Sequence, residues 1–405
     1  MVTVTEAKRI LSHVERLPVQ RELSLLSALE HVLAEDVHAP LDLPQFPQSG
    51  VDGYAFLYSD LLKGKGLKIG IEVEAGSHGH QTLSPNQAAR VFTGAPVPLP
   101  ADTVVMQEKV EKENGFIYVR DKELSKGNAL RLVGSEIKKG ELALPKGSVL
   151  HAPAIGFLAS LGLLSVKVYG SPKVTIIVTG NELVQPGEAL RNGQVYESNS
   201  FSLRAALSTL NVSDIRVQHV LDSREQLIFV LGEALQTSDL VLLTGGVSVG
   251  DYDFVVEACR HCSVRTLFHR IRQKPGKPLF YGKKGHVEIF GLPGNPASVL
   301  TCFYEYVLPI VLQLSGKEGA LRRVFLPLRQ SFVKGGDLAF FLKGKIHSGS
   351  VELLPAQESY RLSSFAGADC LVFLPEGKSE FKDGELVEVH LLPYYSIPND
   401  QSEEI

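Results

Sequence analysis

Three glycine-bearing stretches set hydroxyls, carboxylates and small residues close together: TGNEL (residues 179–183), TGGVSVGDYD (244–253) and GLPGNPAS (291–298). Glycine lets backbone N–H groups come close to an anion, and a following helix start favours negative charge. Thr179, Gly180, Gly245, Gly246, Gly250, Pro293, Gly294, Asn295 and Pro296 shape these turns, and Thr244, Ser248 and Ser298 add hydroxyl donors. The chemistry that suits them is the holding of a phosphate or another oxyanion.

Asp251 and Asp253 would repel a bare anion. They fit if a divalent cation stands between, or if they hold a neutral part of the same ligand. Lys274 and Lys277, in QKPGKP, supply compensating positive charge on a backbone stiffened by proline. Each stretch alone also reads as a turn, a cap or a helix start. Their co-occurrence on one predicted sheet edge is what points to a site. Upstream, SGVDGYAF sets Asp52 in a glycine-flanked turn beside Tyr54. FTGAPVPLPADTVVMQE sets Thr93, Gly94, Asp102 and Glu108 in a proline-studded loop. By themselves these are turns first and site residues second.

The elements that must position these loops follow from periodicity. VTIIVTG, VQHVLD, DLVLLTGG and VEIFGLPG read as strands. They alternate with helices in SFSLRAALSTL, REQLIFVLGEALQ and PASVLTCFYEYVLPIVLQL. That rhythm predicts a parallel, doubly wound α/β sheet, with ligands beyond the carboxyl ends of its strands. Before it, residues 57–150 alternate short β-like runs with turns, as a small all-β unit does. Residues 4–33 read as two helices, with Thr5 as the first N-cap and Leu23, Leu26, Leu29, His31 and Leu33 at loose helical spacing, and residues 153–162 as a helix stopped by glycine. After Gly316 short strands return, in a second β-domain.

Composition removes several function classes. The formal net charge is −4, which argues against general affinity for nucleic acid. No uninterrupted apolar run reaches membrane-spanning length, and MVTVTEAKRI lacks the apolar core of a secretion signal, so a cytoplasmic protein without a membrane partner is expected. Cys259 and Cys262 form a CxxC with no second pair at zinc-site spacing, so they read as buried thiols.

Six stretches, in this order, resemble the MoeA/gephyrin-type molybdopterin molybdenumtransferases: LPQFPQSGVDGYA, FTGAPVPLPADTVVMQE, VTGNELVQPGEALRNGQVYESN, LLTGGVSVGDYD, KPGKP and FGLPGNPAS. The likeness runs over nearly the whole chain. It implies insertion of molybdenum from molybdate into adenylylated molybdopterin with release of AMP, assisted by Mg²⁺ or Zn²⁺. It implies an α/β multidomain fold: a discontinuous helical and extended linking domain (1–45 and 146–172), a small inserted β-domain (46–145), the central doubly wound α/β molybdopterin-binding domain (173–318) and a C-terminal β-barrel (319–397). It further implies a homodimer whose subunits share the cleft, and contact with other molybdenum cofactor proteins. By motif match, Asp52, Glu182 and Asp222 join Asp251, Asp253, Lys274 and Lys277 as catalytic candidates, with Asp251 and Asp253 as metal ligands. Thr93 and Gly94 fall in the family's TGAP loop.

The sequence departs from the family pattern in several places. Gln48 stands for Asn, Asn181 for Asp, Glu197 for Asp and Glu358 for Gly, and Glu136 ends GSE where GED is usual. Leu342 stands where an arginine is usual, beside Lys343 and Lys345. These changes leave open a second expectation, a pterin-nucleotide binding or delivery protein with weakened chemistry.

Overall fold

The computed structural model describes residues 1–14, 20–77, 81–246 and 254–395. The chain forms two compact units. Met1–Arg21, Glu30–Val32 and Val168–Ile405 make the first, and Glu22–Leu29 with Leu33–Lys167 the second.

The first unit is built on a six-stranded sheet. Strands Ile215–Val220, Val174–Thr179, Leu240–Thr244 and Val287–Leu292 run parallel in that spatial order. The last three are buried at every residue, as expected for strands covered on both faces. Side chains alternate between two cores. Ile176, Val178 and Leu242 meet Leu203, Leu207 and the long helix from Pro296 on one face. Ile177, Val241 and Leu243 meet Leu227, Leu231, Val255 and Ala258 on the other. The expected parallel sheet is therefore present as its doubly wound centre. Two further strands, Phe280–Lys284 and Arg265–His269, extend it antiparallel. The reason is local: only Gly285 and His286 separate Lys284 from Val287, and so short a link can only return the chain as a hairpin.

Helix Pro296–Cys302 passes through a widened turn, Phe303–Val307, into helix Leu308–Leu314. Pro309 has no N–H to give to Glu305, so the regular ladder cannot continue there. The whole stretch has the length and mean hydropathy of a membrane span, yet it is mostly buried in the core.

Strands Ala339–His347, Cys370–Leu374, Leu386–Leu391 and Arg323–Pro327 pair in that order, and Ser350–Leu353 pairs on the outer side of the first. The N–H of Arg329 donates to the Val351 carbonyl at 2.9 Å and so links the two ends of this curled sheet. Val351, Val372, Leu374 and Val389 fill it.

The second unit centres on another six-stranded sheet, in the order Thr103–Met106, Gly53–Phe56, Gln87–Val91, Leu67–Val73, Phe116–Val119, Val110–Glu113. Its two faces bury separate apolar clusters, one around Ala55, Val91 and Val104 and one around Tyr54, Phe56 and Ile117. The expected small β-rich unit is present.

Two expectations near the N-terminus fail. One helix forms, Val4–Leu11, and its N-cap is Thr3 rather than Thr5. Thr3 and Glu6 bond each other's backbone N–H, a capping box that outcompetes the later threonine. Among the described residues there is no second helix, and Gln20–Ser24 is a strand. The Ser165 hydroxyl donates to Glu22, and the Leu25 N–H donates to the Leu164 carbonyl at 3.1 Å. Leu26 is 83% exposed, so the apolar spacing that suggested a helix has no core to face. The helix expected over 153–162 is found at Ala152–Ser160.

Candidate functional site

Strand pairing in the first unit brings the anion-binding loops together. Thr179 lies opposite Val220, and Val178 opposite Thr244, at the carboxyl ends of parallel strands. Thr244 lies opposite Leu292 at the next strand. The loops that follow therefore leave one edge side by side. Gly245 has φ +84°, and a Cβ there would sit 2.5 Å from the Thr179 carbonyl oxygen. Only glycine lets the 244–246 turn lie against its neighbour. A Cβ on Gly294 would be 3.8 Å from the Gly245 Cα, so the LPGNP loop is adjacent to both.

These loops line a cavity of about 1010 Å³. Thr179, Gly180, Glu182, Asp222, Gly245, Gly246, Lys274, Lys277, Pro293, Gly294 and Asn295 all border it. Thr244 is buried at the strand end just behind, and its Oγ1 has no hydrogen-bond partner among the described residues. Pro296 starts the helix at the end of the LPGNP loop, and Ser298 borders the cavity from its first turn. Ser248, Gly250, Asp251 and Asp253 lie outside the described residues.

The QKPGKP segment enters the same cavity for a reason the sequence does not show. Gln273 and Lys274 form a short strand beside Ala339 and Phe340, parallel to the first strand of the curled sheet. Gln273 is fully buried. It accepts a short hydrogen bond from the Tyr306 hydroxyl and donates to the Pro275 carbonyl at 2.9 Å. Gly276, at φ +86°, passes so close to the long helix that a Cβ would meet Cys302 Sγ at 2.5 Å. The loop is thus clamped at Gln273 and Gly276, and the lysines project from a fixed base. Lys274 Nζ lies 5.4 Å from the Phe340 ring centroid, a cation–π distance. Lys277 is exposed and makes no ion pair among the described residues.

The opposite wall is Phe332, Leu338, Phe340, Leu342, Gln357, Glu358 and Ser359. Leu342 therefore does sit at the cavity, and it brings no charge. The neighbouring Lys343 does not replace a cation there. It is 4% exposed, and its ammonium donates to the Ala356 carbonyl at 2.8 Å and the Arg361 carbonyl at 3.3 Å. Burial lowers its pKa from the ordinary lysine value. Its role is to fix the 356–361 loop. Asn295 Nδ2 donates to the Ser359 hydroxyl at 2.8 Å, and Ala297 N–H donates to the Ser359 carbonyl at 3.1 Å. The LPGNP loop and the 356–361 loop are thereby joined.

The carboxylates have defined settings. Asn181 N–H donates to Asp222 Oδ2 at 3.1 Å, and Asp222 N–H donates to Asn181 Oδ1 at 3.0 Å. Glu197 is buried and accepts from the Ser200 N–H at 2.7 Å and from its hydroxyl, tying down the start of helix Asn199–Ser208. Glu358 lies 3.3 Å from Arg361 Nε.

Asp52, Thr93 and Gly94 belong to the second unit, where they make a cluster of their own. Asp52 Oδ1 accepts from both the N–H and the hydroxyl of Thr93, each at 2.8 Å. Those bonds hold its carboxyl below the ordinary value. Gly94, at φ +82°, donates its N–H to the Ser49 carbonyl at 2.8 Å. Asp102 receives the Tyr58 N–H at 2.7 Å and so serves a turn. Cys259 is buried in the core, and Cys262 donates to the Ile228 carbonyl at 3.6 Å. Burial pushes the Cys262 thiol up, which suits an inert thiol.

Comparison with known proteins agrees with this geometry. Residues 2–162 match the MoeA N-terminal region (domain I and II), 175–313 the probable molybdopterin binding domain, and 326–392 the MoeA C-terminal region (domain IV). The molybdopterin molybdenumtransferase of Haemophilus influenzae is 32% identical over 97% of this chain and 100% of its own. That of a Nostoc species is 33% identical over 92% of this chain and 88% of its own. A molybdopterin biosynthesis MoeA protein from Pyrococcus horikoshii superposes with a TM-score of 0.84 at 31% identity, covering 96% of this chain and 99% of that one. With end-to-end likeness and the strand-end cradle in place, the chain belongs to the molybdopterin molybdenumtransferase family.

Proposed function

We propose that this chain inserts molybdenum from molybdate into adenylylated molybdopterin and releases AMP. The observation that carries the reading is the single cavity where three strand-end loops meet Lys274 and Lys277. The clamped lysines attract the anionic substrates and hold developing phosphoryl charge. The glycine turns let backbone N–H groups come close to phosphate oxygens. Asp222, held by Asn181, and Glu182 present oxygen donors on the same side.

Mg²⁺, or Zn²⁺, belongs to the proposal as a charge-neutralising ion. Glu182 and Asp222 have the hard oxygen donors that Mg²⁺ takes, but the described residues contain no cluster of three ligands. The assignment of Asp251 and Asp253 as metal ligands rests on residues outside those described, so no step here runs through the metal. When bound, the ion would offset the charge of the phosphoanhydride. A cytoplasmic homodimer with a shared cleft, and contact with other molybdenum cofactor proteins, complete the reading on the family resemblance.

The test is AMP release from adenylylated molybdopterin by purified protein, with and without molybdate and Mg²⁺. Release that needs both supports the transferase. Tight binding without release would replace it with the delivery reading, which Leu342 and Glu358 in the cavity wall favour. Sedimentation as a monomer would remove the dimer.

A further inference from the structure

The first unit carries a second concavity, of about 660 Å³. It lies at the other end of the sheet from the cradle. Arg265 starts one antiparallel edge strand, Lys283 lies near the end of the next, and Gly285 and His286 form the turn into Val287–Leu292. These positions mark the amino-terminal end of the parallel strands. Helix Val4–Leu11 closes the other side with Arg9 and Ile10, followed by His13 and Val14.

The charge of this groove is one-sided. Among the described residues its lining holds Arg9, Arg265, Lys283, His13 and His286 and no carboxylate, on a chain of net charge −4. Behind the wall, fully buried Glu288 lies 3.0 Å from Lys283 Nζ and accepts from the Tyr281 hydroxyl at 2.6 Å. Asp239 lies 3.6 Å from His286 Nε2. Glu288 offsets Lys283. Arg9 and Arg265 make no ion pair among the described residues. Glu6, next to Arg9 on the same helix, feels the Arg9 charge, yet both guanidiniums border the concavity without a close carboxylate among the described residues.

We propose that this groove binds a small phosphate-bearing molecule at a site separate from the cradle. Arg9 and Arg265 hold the phosphate, since the guanidinium fork matches phosphate oxygens in bidentate fashion. Lys283, anchored on Glu288, adds a point charge. Ile10, Val14 and Leu267 offer an apolar wall to the uncharged body of the ligand. The volume falls within the range of small-molecule pockets, and a groove this confined is small beside the surface a stable protein partner covers.

The experiment is titration calorimetry of the full chain with inorganic pyrophosphate at low salt. It uses three proteins: wild type, Lys274→Ala/Lys277→Ala and Arg9→Ala/Arg265→Ala. The groove predicts that the lysine variant keeps a pyrophosphate site. It also predicts that the arginine variant loses that site by at least about tenfold in Kd, the scale of losing charge-assisted bonds, while AMP release is unchanged. If the arginine variant does not fold, Arg9→Lys/Arg265→Lys retains charge without the fork and should still bind several-fold more weakly. No binding by the lysine variant overturns the proposal, as does unchanged binding by either arginine variant. Direct binding of hexaglutamate without binding of pyrophosphate overturns it too, in favour of an acidic protein segment. Because the readout is pyrophosphate binding, its failure leaves the transferase reading untouched.

Discussion

Asn181 and Asp222 hold each other by two reciprocal bonds, each backbone N–H donating to the other's side chain at 3.1 and 3.0 Å. They stand just beyond paired ends of adjacent strands, so this clasp fixes two cavity loops at once. The amide at 181 costs the cavity a carboxylate but keeps the clasp, because only the side-chain oxygen of residue 181 is used.

Asp222→Ala should therefore lower AMP release by about tenfold or more. Stability should fall only by about 1 kcal/mol, the net worth of an ordinary hydrogen bond. Asn181→Asp should keep the clasp and the melting temperature. Steady-state assay beside thermal melting separates the two effects. A normal rate for Asp222→Ala would remove that residue from the site.

Lys277 is exposed and free of ion pairs among the described residues, whereas Lys274 lies against Phe340. Lys277→Ala should raise KM for molybdate by about tenfold, near 1.4 kcal/mol, and flatten its dependence on ionic strength. Lys274→Ala should add a small loss of stability, about 0.5–1 kcal/mol, from the lost cation–π contact. Equal KM values in wild type and Lys277→Ala would exclude that lysine from anion capture.

Gly245→Ala places a methyl 2.5 Å from the Thr179 carbonyl oxygen at a positive φ. The strain should cost about 1–3 kcal/mol, with a fall in melting temperature and loss of cradle binding. A variant that melts like wild type would mean the turn can rearrange.

Buried Glu305, in the widened helical turn, lies 2.6 Å from Lys8 Nζ and 2.5 Å from His390 Nδ1. Burial pushes the Glu305 carboxyl up, but the His390 bond and the Lys8 ammonium outweigh it and hold it below the ordinary value. A carboxyl depressed in the folded state lends stability above its unfolded pKa, and that stability is lost as pH falls through the folded value. Glu305→Gln should remove this acid-limb dependence below about pH 4.5, the unfolded carboxylate range. Lys8→Met, which leaves the buried carboxylate with His390 as partner, should cost about 1.5–3 kcal/mol at neutral pH, the worth of a charged hydrogen bond. Urea melts over pH 3–7 read both.

Asp52 should respond to Thr93 without any change in stability worth measuring. Thr93→Val removes one of the two bonds to its carboxylate, so its pKa should rise toward the ordinary aspartate value. Carboxyl-carbon NMR titration gives the answer.

The central strands were legible because Val174–Thr179, Leu240–Thr244 and Val287–Leu292 are mostly apolar and rich in β-branched residues, and they are buried on both faces. The edge strand Arg265–His269 was not, because its RTLFH is short, polar and half exposed. The cradle loops could be read from glycine, proline and hydroxyl content. Gln273 could not: nothing in the residue before KPGKP announces a buried partner at Tyr306. Leu26 and Leu29 misled, since helical spacing means little without a surface to bury it. The setting of Lys343, beside Leu342, could not be read either: its ammonium is held by backbone carbonyls rather than by the cavity.

The short strand Gln273–Lys274 is sewn to Ala339 and Phe340 of the curled sheet although its neighbours in sequence belong to the α/β layer. The lysine-bearing loop thus answers to two cores. A gene cut after the long helix would strip one edge from that loop and leave Lys274 without the ring beneath it. The glycine turns at the strand ends would keep their own layer, whereas the seat of the lysines needs both.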